Sequence, residues 1–529
     1  MTRGAAMSEV PRWRHAVAGA VAGGVALGAT ELVAGALPGA PSLVRSVASV
    51  VIDLAPIGVV RAAIASLGFS DKPVLVAGVV VLSLLLGAGL AVAARRRRWI
   101  ALVGLAAFGA LGAWAGARPP GTPAWRPAVA ALFGVLAGAA TLAVLAWRSA
   151  HPASEVSRLP PAPASTAEAP VSASVARQEP ASRRSFLVRA GSLLVVGAAA
   201  AAGGRLLESR ARVAARQGVE LPPVGETAGP AAGLDVPGLS PYITPTKDFY
   251  RVDTATFPPI AEPRRWRLQV GGMVDHPFQL SYDQLLAMPM EEHDITLVCV
   301  SNEVGDRLSG NARWRGVRLD ELLRRAAPRQ EATQLVGVSA DGFTTGFPIA
   351  LALDGRNALV AVAMNGEPLP DEHGFPARLV VPGVYGYASA CKWLQEIRLD
   401  RLDRFDPYWM ERGWAPGGQM KTMARIDTPL VGRRLHPGKV SVAGVAWSHH
   451  IGISKVEMQV DGGPWMPARL GTSDPDTWRQ WVVEWDAAAG THTIRARATD
   501  GQGQLQTSAA AESFPSGATG WHTIQVLVA

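Results

Sequence analysis

The amino-acid sequence predicts three unlike parts: an N-terminal helical transmembrane region, an α+β domain and a C-terminal all-β domain. Ala, Val, Leu and Gly dominate the first 150 of the 529 residues, whereas charged residues concentrate after position 235. Short strands mix with amphipathic helices from Trp266 onward, which is an α+β pattern. From about Thr428 the chain becomes a series of short alternating strands, typical of an immunoglobulin-like sandwich.

Five apolar stretches precede position 150, at about 16–37, 47–67, 74–94, 99–117 and 128–147. A helix needs about 20 mostly apolar residues to cross a bilayer. The last three stretches contain no charge and are predicted to span the membrane. Short basic loops stay cytoplasmic, so the four arginines at 95–98 place the loop between two of these spans inside the cell.

The stretch 47–67 leaves two alternatives, because Asp53, Pro56 and Arg61 interrupt it. If it crosses the membrane, the N-terminus lies outside. If it lies partly at the interface, the N-terminal arginines lie inside. Both alternatives leave the basic loop and everything after it in the same orientation.

Residues 149–182 are rich in Pro, Ala and Ser without periodicity, which predicts a disordered linker. Arg183 and Arg184, followed by Ser-Phe-Leu-Val and the apolar run 193–204, resemble a twin-arginine export signal. This resemblance implies the twin-arginine export machinery as a partner. The apolar stretches predict a multi-pass cell-membrane protein, and the basic loop and the export motif both place its second half on the extracytoplasmic side.

The net charge of +8 is partly local, because the arginines at 95–98 and 183–184 flank apolar stretches. No basic stripe interleaved with aromatic residues occurs, so no nucleic-acid partner is predicted. The membrane half contains only His15 and His151, both outside the spans, and no cysteine. The sequence therefore indicates no haem and no iron–sulfur cluster.

Local patterns predict individual elements of the second half. Ser281 and Gln284 fit a helix cap with its reach-back residue. A helix is predicted at 319–327, and an alternating strand at 455–460 is followed by a turn at 461–463 and a return strand opened by Trp465. The other predicted strands are 266–270, 359–364, 378–381, 478–485, 491–498 and 522–528.

Cys299 is the candidate metal ligand. The apolar run 295–298 delivers it to a turn rich in Ser, Asn, Gly and Asp. The chain has only two cysteines, so neither a multi-cysteine metal cage nor a disulfide framework is available. A single thiolate can still be a soft ligand for a metal held mainly by another group, although a lone cysteine is more often a small buried apolar residue.

The surroundings of Cys299 favour a metal ligand, because three motifs resemble the sulfite oxidase family. They are Cys299 and Asn302 with Ala-Arg-Trp-Arg-Gly-Val at 312–317, the block 364–386 closing with Lys-Trp-Leu at 392–394, and Thr-Pro-Thr-Lys-Asp-Phe-Tyr-Arg at 244–251. The likeness covers roughly residues 235–529, and this part is identified as a member of that family. It implies a sulfite oxidase-like molybdopterin-binding domain followed by an immunoglobulin-like dimerisation domain.

The resemblance implies a molybdenum–molybdopterin cofactor (Mo-MPT) with Cys299 as the metal ligand. Cys299, Arg251 and Trp414 are the candidate catalytic residues. Cys391 matches no ligand position in the family and is expected to be structural, with an approach to the cofactor as the alternative. The cofactor-binding candidates are Tyr250, Arg251, Asp253, Asp341, Thr345, His373, Arg378, Ala390, Cys391 and Lys392.

Three positions depart from the cage that sulfite oxidases present to their anionic substrate. Val304 and Trp414 stand where the family has an arginine and a tyrosine, and 448–453 lacks a third arginine. Losing such groups removes complementarity to a dianion. Arg251, Arg307 and Arg313 remain as possible anion contacts, and His449 and His450 are possible neighbours of the site.

The sequence thus predicts a membrane-anchored, extracytoplasmic molybdenum oxidoreductase that carries out two-electron oxo transfer by reducing an S-oxide or N-oxide. Sulfite oxidation is the alternative reaction, and a non-catalytic cofactor-bearing receptor or assembly protein is the alternative class. A small-molecule substrate, an unidentified redox partner and a possible homodimer are implied. The predicted parts are 1–148 (polytopic helices), 149–182 (linker), 183–208 (twin-arginine motif and last span), 235–424 (catalytic domain) and 425–529 (dimerisation domain).

Overall fold

The computed structural model describes residues 11–67, 70–119, 122–147, 183–224, 233–255, 258–259 and 261–529. The chain forms two compact units, Met1–Ala211 and Arg212–Ala529. The predicted linker at 149–182 lies outside the described residues.

The first unit is helical. Its helices are α1 (Arg12–Ala36), α2 (Leu43–Leu54), α3 (Ile57–Leu67), α4 (Asp71–Ala93), α5 (Trp99–Ala117), α6 (Trp125–Leu142) with a π-helical extension (Ala143–Trp147), and α7 (Arg183–Gln217). Five of the described helices are long and apolar enough to cross a membrane: α1, α4, α5, α6 with its extension, and α7.

The ambiguous stretch 47–67 is not one helix. It is divided between α2 and α3, which have 12 and 11 residues and are separated at Ala55 and Pro56. A proline disfavours helical geometry at the residue before it, and its ring removes a backbone donor. Since neither half reaches the ~20 residues that a span needs, a single crossing helix here is wrong.

Helix α7 is longer than the predicted span, because the polar residues after Gly204 continue it to Gln217. Its glycines pack directly on α1. Gly197 lies against Gly28, and Gly204 lies against Gly35. The two helix backbones are so close at these positions that a side chain on any of the four glycines would collide with the other helix. Arg45 and Glu208 form an ion pair at 2.8 Å in the same unit.

The second unit begins with an α+β region. Its strands are β1 (Arg267–Gly272), β2 (Phe278–Ser281), β3 (Glu291–Val298), β4 (Ser309–Arg318), β5 (Gln334–Ser339), β6 (Thr344–Pro348), β7 (Leu359–Met364), β8 (Glu367–Pro368), β9 (Arg378–Val380) and β10 (Leu394–Asp400). Its helices are α8 (Tyr282–Leu286), α9 (Leu319–Ala326), α10 (Ala350–Leu353) and α11 (Gly386–Ser389). The predicted capping box is present at α8, where the Ser281 side chain accepts from the backbone N–H of Gln284.

Two sheets organise this region. One has the strand order β2-β1-β10-β5-β6, and the other has β3-β4-β7-β8 with β9 paired to β7. In the second sheet β3 runs antiparallel to β4, and the last pair in register is Val298 with Ser309. The loop between these two residues carries Cys299.

The chain then forms a β domain at 423–528. Its strands are β11 (Met423–Thr428), β12 (Arg434–Leu435), β13 (Gly438–Trp447), β14 (Ile453–Val460), β15 (Met466–Pro467), β16 (Arg469–Leu470), β17 (Arg479–Ala487), β18 (Gly490–Asp500) and β19 (His522–Val528). The sheets β11-β13-β17-β16 and β12-β19-β18-β14-β15 share one apolar core that includes Val442, Trp481 and Ile494. The return strand expected from Trp465 amounts only to the two residues of β15.

We expect Gly197→Leu to weaken the packing of α7 on α1. A Cβ at Gly197 would lie 3.0 Å from the Val25 Cα, and overpacking of this kind costs about 1–3 kcal/mol. Gly191→Leu on the same helix is the control, because nothing lies within 4 Å of its Cβ position. Thermal unfolding in detergent, followed by helical circular dichroism, should show a lower midpoint for the first variant only. Equal midpoints for both variants would contradict this packing.

Candidate functional site

Cys299 lies immediately after β3 with 7% of its surface exposed. Its backbone is fixed on both sides: the N–H donates to the Leu308 carbonyl at 2.9 Å, and the carbonyl accepts from the Asn302 N–H at 3.0 Å. The sulfur therefore projects from a short, hydrogen-bonded turn at the end of a buried strand.

The electrostatic environment of the thiol is mixed. Burial raises the pKa of Cys299, whereas hydrogen bonds from Ser301 and the charge of Lys392 lower it. The net effect favours the neutral thiol. A bound cation would reverse this balance, because metal coordination deprotonates a thiol.

Cys299 opens into a cavity of about 110 Å³. Eight of the predicted site residues line it: Tyr250, Asp253, Cys299, Asp341, Arg378, Ala390, Lys392 and Trp414. These residues come from widely separated parts of the sequence, and the fold brings them to one place. Arg251, Thr345, His373 and Cys391 are not part of the cavity wall.

Lys392 is a largely buried cation in this wall, with 11% of its side chain exposed. Its Nζ lies 2.6 Å from Asp253 Oδ1 and donates to the Glu372 carbonyl at 2.8 Å. Burial lowers the pKa of Lys392 to about 8, against the opposing effect of Asp253. Although burial alone raises the pKa of Asp253, Lys392 and Arg251 hold it below its ordinary value. The pair therefore carries a charge on each partner at neutral pH.

Arg378 is the second buried cation, with 2% of its surface exposed. It donates to the His373 carbonyl at 3.1 Å and lies 4.9 Å above the Trp314 ring. Burial lowers its pKa to about 10, so it remains charged at neutral pH. In the described part of the chain no carboxylate lies within ion-pair distance of this guanidinium, so much of its charge is available to an anion.

His373 supports Arg378 from outside the cavity wall. Its Nε2 faces the Thr246 carbonyl at 3.3 Å, which assigns the proton to that nitrogen. Burial, with the charges of Lys392 and Arg378, lowers its pKa to about 3, so the ring is neutral. Within the described residues Nδ1 is buried without a hydrogen-bond partner, which leaves an acceptor for a ligand N–H.

The remaining cofactor candidates lie behind or beside the wall. Arg251 bonds to Asp253 at 2.7 Å, and its side chain is 40% exposed. Thr345 and Cys391 are fully buried and pack together against Gly337 in β5. Burial raises the pKa of the Cys391 thiol, which suits the structural role expected of it.

The aromatic lining of the cavity is the feature that sequence reasoning missed. Phe249, Phe343, Tyr387, Trp393 and Trp409 join Trp414 in the wall, together with Val252 and Ser301. Trp414 lies between Tyr387 at 5.8 Å and Phe514 at 5.3 Å. Three aromatic residues at 408–414 were a signal, because aromatic residues make up only 6% of the chain.

The positions that differ from the family cage are not equivalent. Val304 packs against the apolar core and lies outside the cavity wall, whereas Trp414 lies in it. Arg313 lies outside the cavity wall, and its guanidinium binds Asp294 at 2.8 Å. Arg307 is also outside the wall, and His450 bonds to Asp476 at 2.5 Å instead of reaching the cavity.

These residues fit the cofactor implied by the sequence. A pyranopterin carries a phosphate, a polar ring edge and a dithiolene that binds the metal. The cavity offers two cations, Arg378 and Lys392, to the first, and the unpartnered Nδ1 of His373 lies behind the wall next to Arg378. Cys299 supplies one buried thiol, and Asn302 beside it has a buried Oδ1 without a hydrogen-bond partner in the described chain.

Known proteins resemble this part of the chain. The family model described as "Oxidoreductase molybdopterin binding domain" matches residues 255–409. Mitochondrial sulfite oxidase from Macaca fascicularis is 28% identical over 341 residues, which cover 54% of this chain and 62% of that protein. An uncharacterized oxidoreductase, YuiH, from Bacillus subtilis is 35% identical over 169 residues, which cover 32% of this chain and 82% of that protein.

Coverage of the larger relatives is partial. The chain spans 53–62% of the length of the four mammalian sulfite oxidases that it matches. Among solved structures, the sulfane dehydrogenase SoxCD from Paracoccus pantotrophus is 24% identical with a TM-score of 0.48. The match covers 54% of this chain and 81% of that one.

We expect anionic-cofactor binding to weaken as the pH rises through about 8. The pKa of Lys392 is lowered to about 8, so the ammonium that attracts a phosphate is present below that pH and is lost above it. Affinity should then fall by up to about tenfold per pH unit. The measurement of this affinity is the amount of molybdenum that each chain retains after gel filtration, compared between about pH 7 and pH 9.5.

Two variants make this pH test specific. Lys392→Gln should bind the cofactor weakly, and its cofactor retention should no longer fall near pH 8. Lys439→Gln, at an exposed position of the β domain, should keep the native profile. A step that persists in Lys392→Gln would show that another group is responsible.

Proposed function

Because the chain belongs to the sulfite oxidase family of molybdopterin-dependent oxidoreductases, we propose that it reduces an S-oxide or N-oxide by two-electron oxo transfer. The observation that carries the proposal is the wall of the Cys299 cavity. Seven of its 19 lining residues are aromatic, Trp414 among them, and its two cations lie beside His373 and Asp253.

Each polar group of the site has a role in this proposal. A bound molybdopterin cofactor would supply the two-electron redox chemistry. Cys299 would ligate the metal, and Arg378 and Lys392 would hold the anionic part of the cofactor. His373 would accept a hydrogen bond at Nδ1. Asp253 keeps Lys392 in place through the 2.6 Å contact and thereby orients its charge.

Substrate choice follows from charge and shape. A dianion needs cations at its own position, because each charged contact is worth about 1.5–3 kcal/mol. Trp414 places an indole in the wall where the family has a tyrosine, and Val304, which packs against the core outside the wall, supplies no cation. A neutral oxide with apolar substituents loses nothing by this exchange and gains contact with Trp414 and Tyr387.

Sulfite oxidation is the second candidate. Its support is that several of the relatives are named sulfite oxidase, among them those of Macaca fascicularis and Homo sapiens. The positive charge of Arg251, Arg378 and Lys392 near the cavity would also suit an anion. The two candidates use the same cofactor site and differ in what the outer wall of the cavity accepts.

We also propose that the enzyme is anchored in the membrane with its catalytic unit outside the cytoplasm. Five helices have suitable length and composition. With the arginines of 95–98 inside, α7 leaves the cytoplasm at Arg183, where the export motif lies. The same arrangement leaves Arg12 inside and the short helices α2 and α3 on the outer side.

We expect poor sulfite kinetics from the purified holo-enzyme. With artificial redox dyes, the affinity for sulfite should be at least about 100-fold weaker than that for a neutral sulfoxide, since the two family arginines that are absent at Val304 and in 448–453 would account for ~3 kcal/mol or more. Trp414→Tyr should narrow this gap. Trp465→Tyr in the β domain is the matched control and should not change it. Cys299→Ser should abolish both activities. Fast sulfite turnover at micromolar concentration would overturn the preferred reaction in favour of the second candidate.

Export should depend on the two arginines at the start of α7. We expect Arg183→Lys with Arg184→Lys to leave α1–α6 inserted but to retain the catalytic unit inside the cell, because the motif is read as an arginine pair. Protease accessibility of the catalytic unit in spheroplasts measures this. Arg205→Lys with Arg210→Lys, near the other end of α7, is the control and should be exported normally. Exposure of the catalytic unit in the first double variant would show that the motif is not an export signal.

A further inference from the structure

The loop that carries Cys299 rests on the β domain. This loop, 299–308, joins β3 to β4 and is called the cysteine loop below. Its internal backbone hydrogen bonds are few: Cys299 to Leu308, Asn302 to Cys299, and Asp306 to Glu303. The Asn302 side chain adds one bond to the Glu303 carbonyl at 3.1 Å. Ser301 and Asp306 are exposed, and Gly305 has a φ of 95°. Such a turn needs outside contacts to hold one conformation.

Arg425 supplies the principal contact of this kind. It belongs to β11 and is 2% exposed. Its Nη1 donates to the Asp306 carbonyl at 3.2 Å and to Ser309 Oγ at 2.8 Å. One guanidinium from the β domain thus holds the end of the cysteine loop and the first residue of β4.

The guanidinium is itself fixed. Asp427, two residues along the same face of β11, binds Arg425 Nε at 2.7 Å and is also 2% exposed. Both partners also bond to Ser240. The Ser240 backbone N–H donates to the Asp427 carboxylate at 3.1 Å, and the Arg425 guanidinium donates to Ser240 Oγ at 3.0 Å. A buried ion pair seldom adds net stability but does define geometry when each partner is fully bonded.

Two further segments of the β domain contact the same loop. The backbone N–H of Ser513 donates to Glu303 Oε1 at 2.9 Å. The His522 ring, whose Nδ1 accepts from the Ile426 N–H at 2.9 Å, lies so close to Gly305 that a side chain there would collide with it. Contacts from three separate strands or loops therefore converge on one turn.

We propose that Arg425 is a positioning residue that fixes the sulfur of Cys299 by holding the cysteine loop. The β domain then forms part of the catalytic unit. This inference rests on the proposed function only in taking Cys299 as the metal ligand. The geometry of a metal–thiolate bond sets the electronic properties of the metal, so a displaced sulfur alters chemistry without altering the ligand.

The test compares Arg425→Met and Arg425→Lys in the full-length chain. In the cofactor-free protein, Arg425→Met should raise the alkylation rate of Cys299 by about tenfold, because the loop opens locally. Cys391, the other cysteine, is an internal reference and should stay protected. In the holo-protein the molybdenum(V) paramagnetic resonance spectrum should shift. Arg425→Lys should show smaller changes in both the labelling rate and the spectrum, since an ammonium can keep one of the two hydrogen bonds that Nη1 makes to Asp306 and Ser309.

The control is a second arginine of the β domain. Arg497 binds Glu457 at 3.0 Å and touches no residue of the cysteine loop among the contacts of the described chain, so Arg497→Met should leave both readouts unchanged. Unchanged labelling and an unchanged spectrum in folded Arg425→Met would overturn the proposal. Equal exposure of Cys391 would also overturn it, because that result indicates general loosening.

Two more variants keep the test decisive. If Arg425→Met does not fold, Glu303→Ala removes the Ser513 contact at a half-buried position. It should raise Cys299 labelling by about threefold, and no rise would overturn the proposal. Cys299→Ser separates the two hypotheses. If that variant keeps its molybdenum and spectrum, the proposed ligand is wrong, whereas the labelling results still report on the loop.

Discussion

The antiparallel pairing of β3 with β4 is the constraint on which the rest of the site depends. The ladder ends at Val298 and Ser309, and the next hydrogen bond, from Cys299 to Leu308, closes the turn. One strand therefore places the cysteine at the edge of a buried sheet. Trp314 in β4 is fully buried and lies beneath Arg378, so the same pair of strands also supports one of the cations.

Burial of charge gives the cavity its chemical character. Moving a cation out of water is costly unless another charge or dipole replaces the solvent. Lys392 has Asp253 and a carbonyl, whereas Arg378 has carbonyl contacts and the face of Trp314. The lowered pKa values of Lys392, Arg378 and His373 follow from this burial. An anionic ligand would supply the negative charge that these cations lack in the protein. Binding of such a ligand would therefore stabilise the side chains of the cavity wall in their positions.

The sequence predicted local elements well wherever a short pattern was sufficient. The strands Leu359–Met364 and His522–Val528 and the capping box at Ser281 are confirmed, because alternation and capping depend on neighbouring residues. The return strand predicted to open at Trp465 begins at Met466, and its pairing with β14 is limited to Met466 and Pro467. The candidate site was predicted from family motifs. Eight of its members line one cavity. Arg313, a possible anion contact, lies outside the wall and is bound to Asp294, a pairing that spacing in the sequence does not reveal.

The sequence by itself determined the apolar helices, the candidate thiol and the residue types around it, since these depend on composition and motif. Tertiary structure decided what long-range contacts control: the division of 47–67 at Pro56, the aromatic wall around Trp414 and the role of β11. In β11 charged residues alternate with apolar ones, as on a solvent-facing strand, yet Arg425 and Asp427 are buried. They can be buried because Ser240, Asp306 and Ser309, far away in sequence, satisfy their hydrogen bonds. No local pattern contains that information.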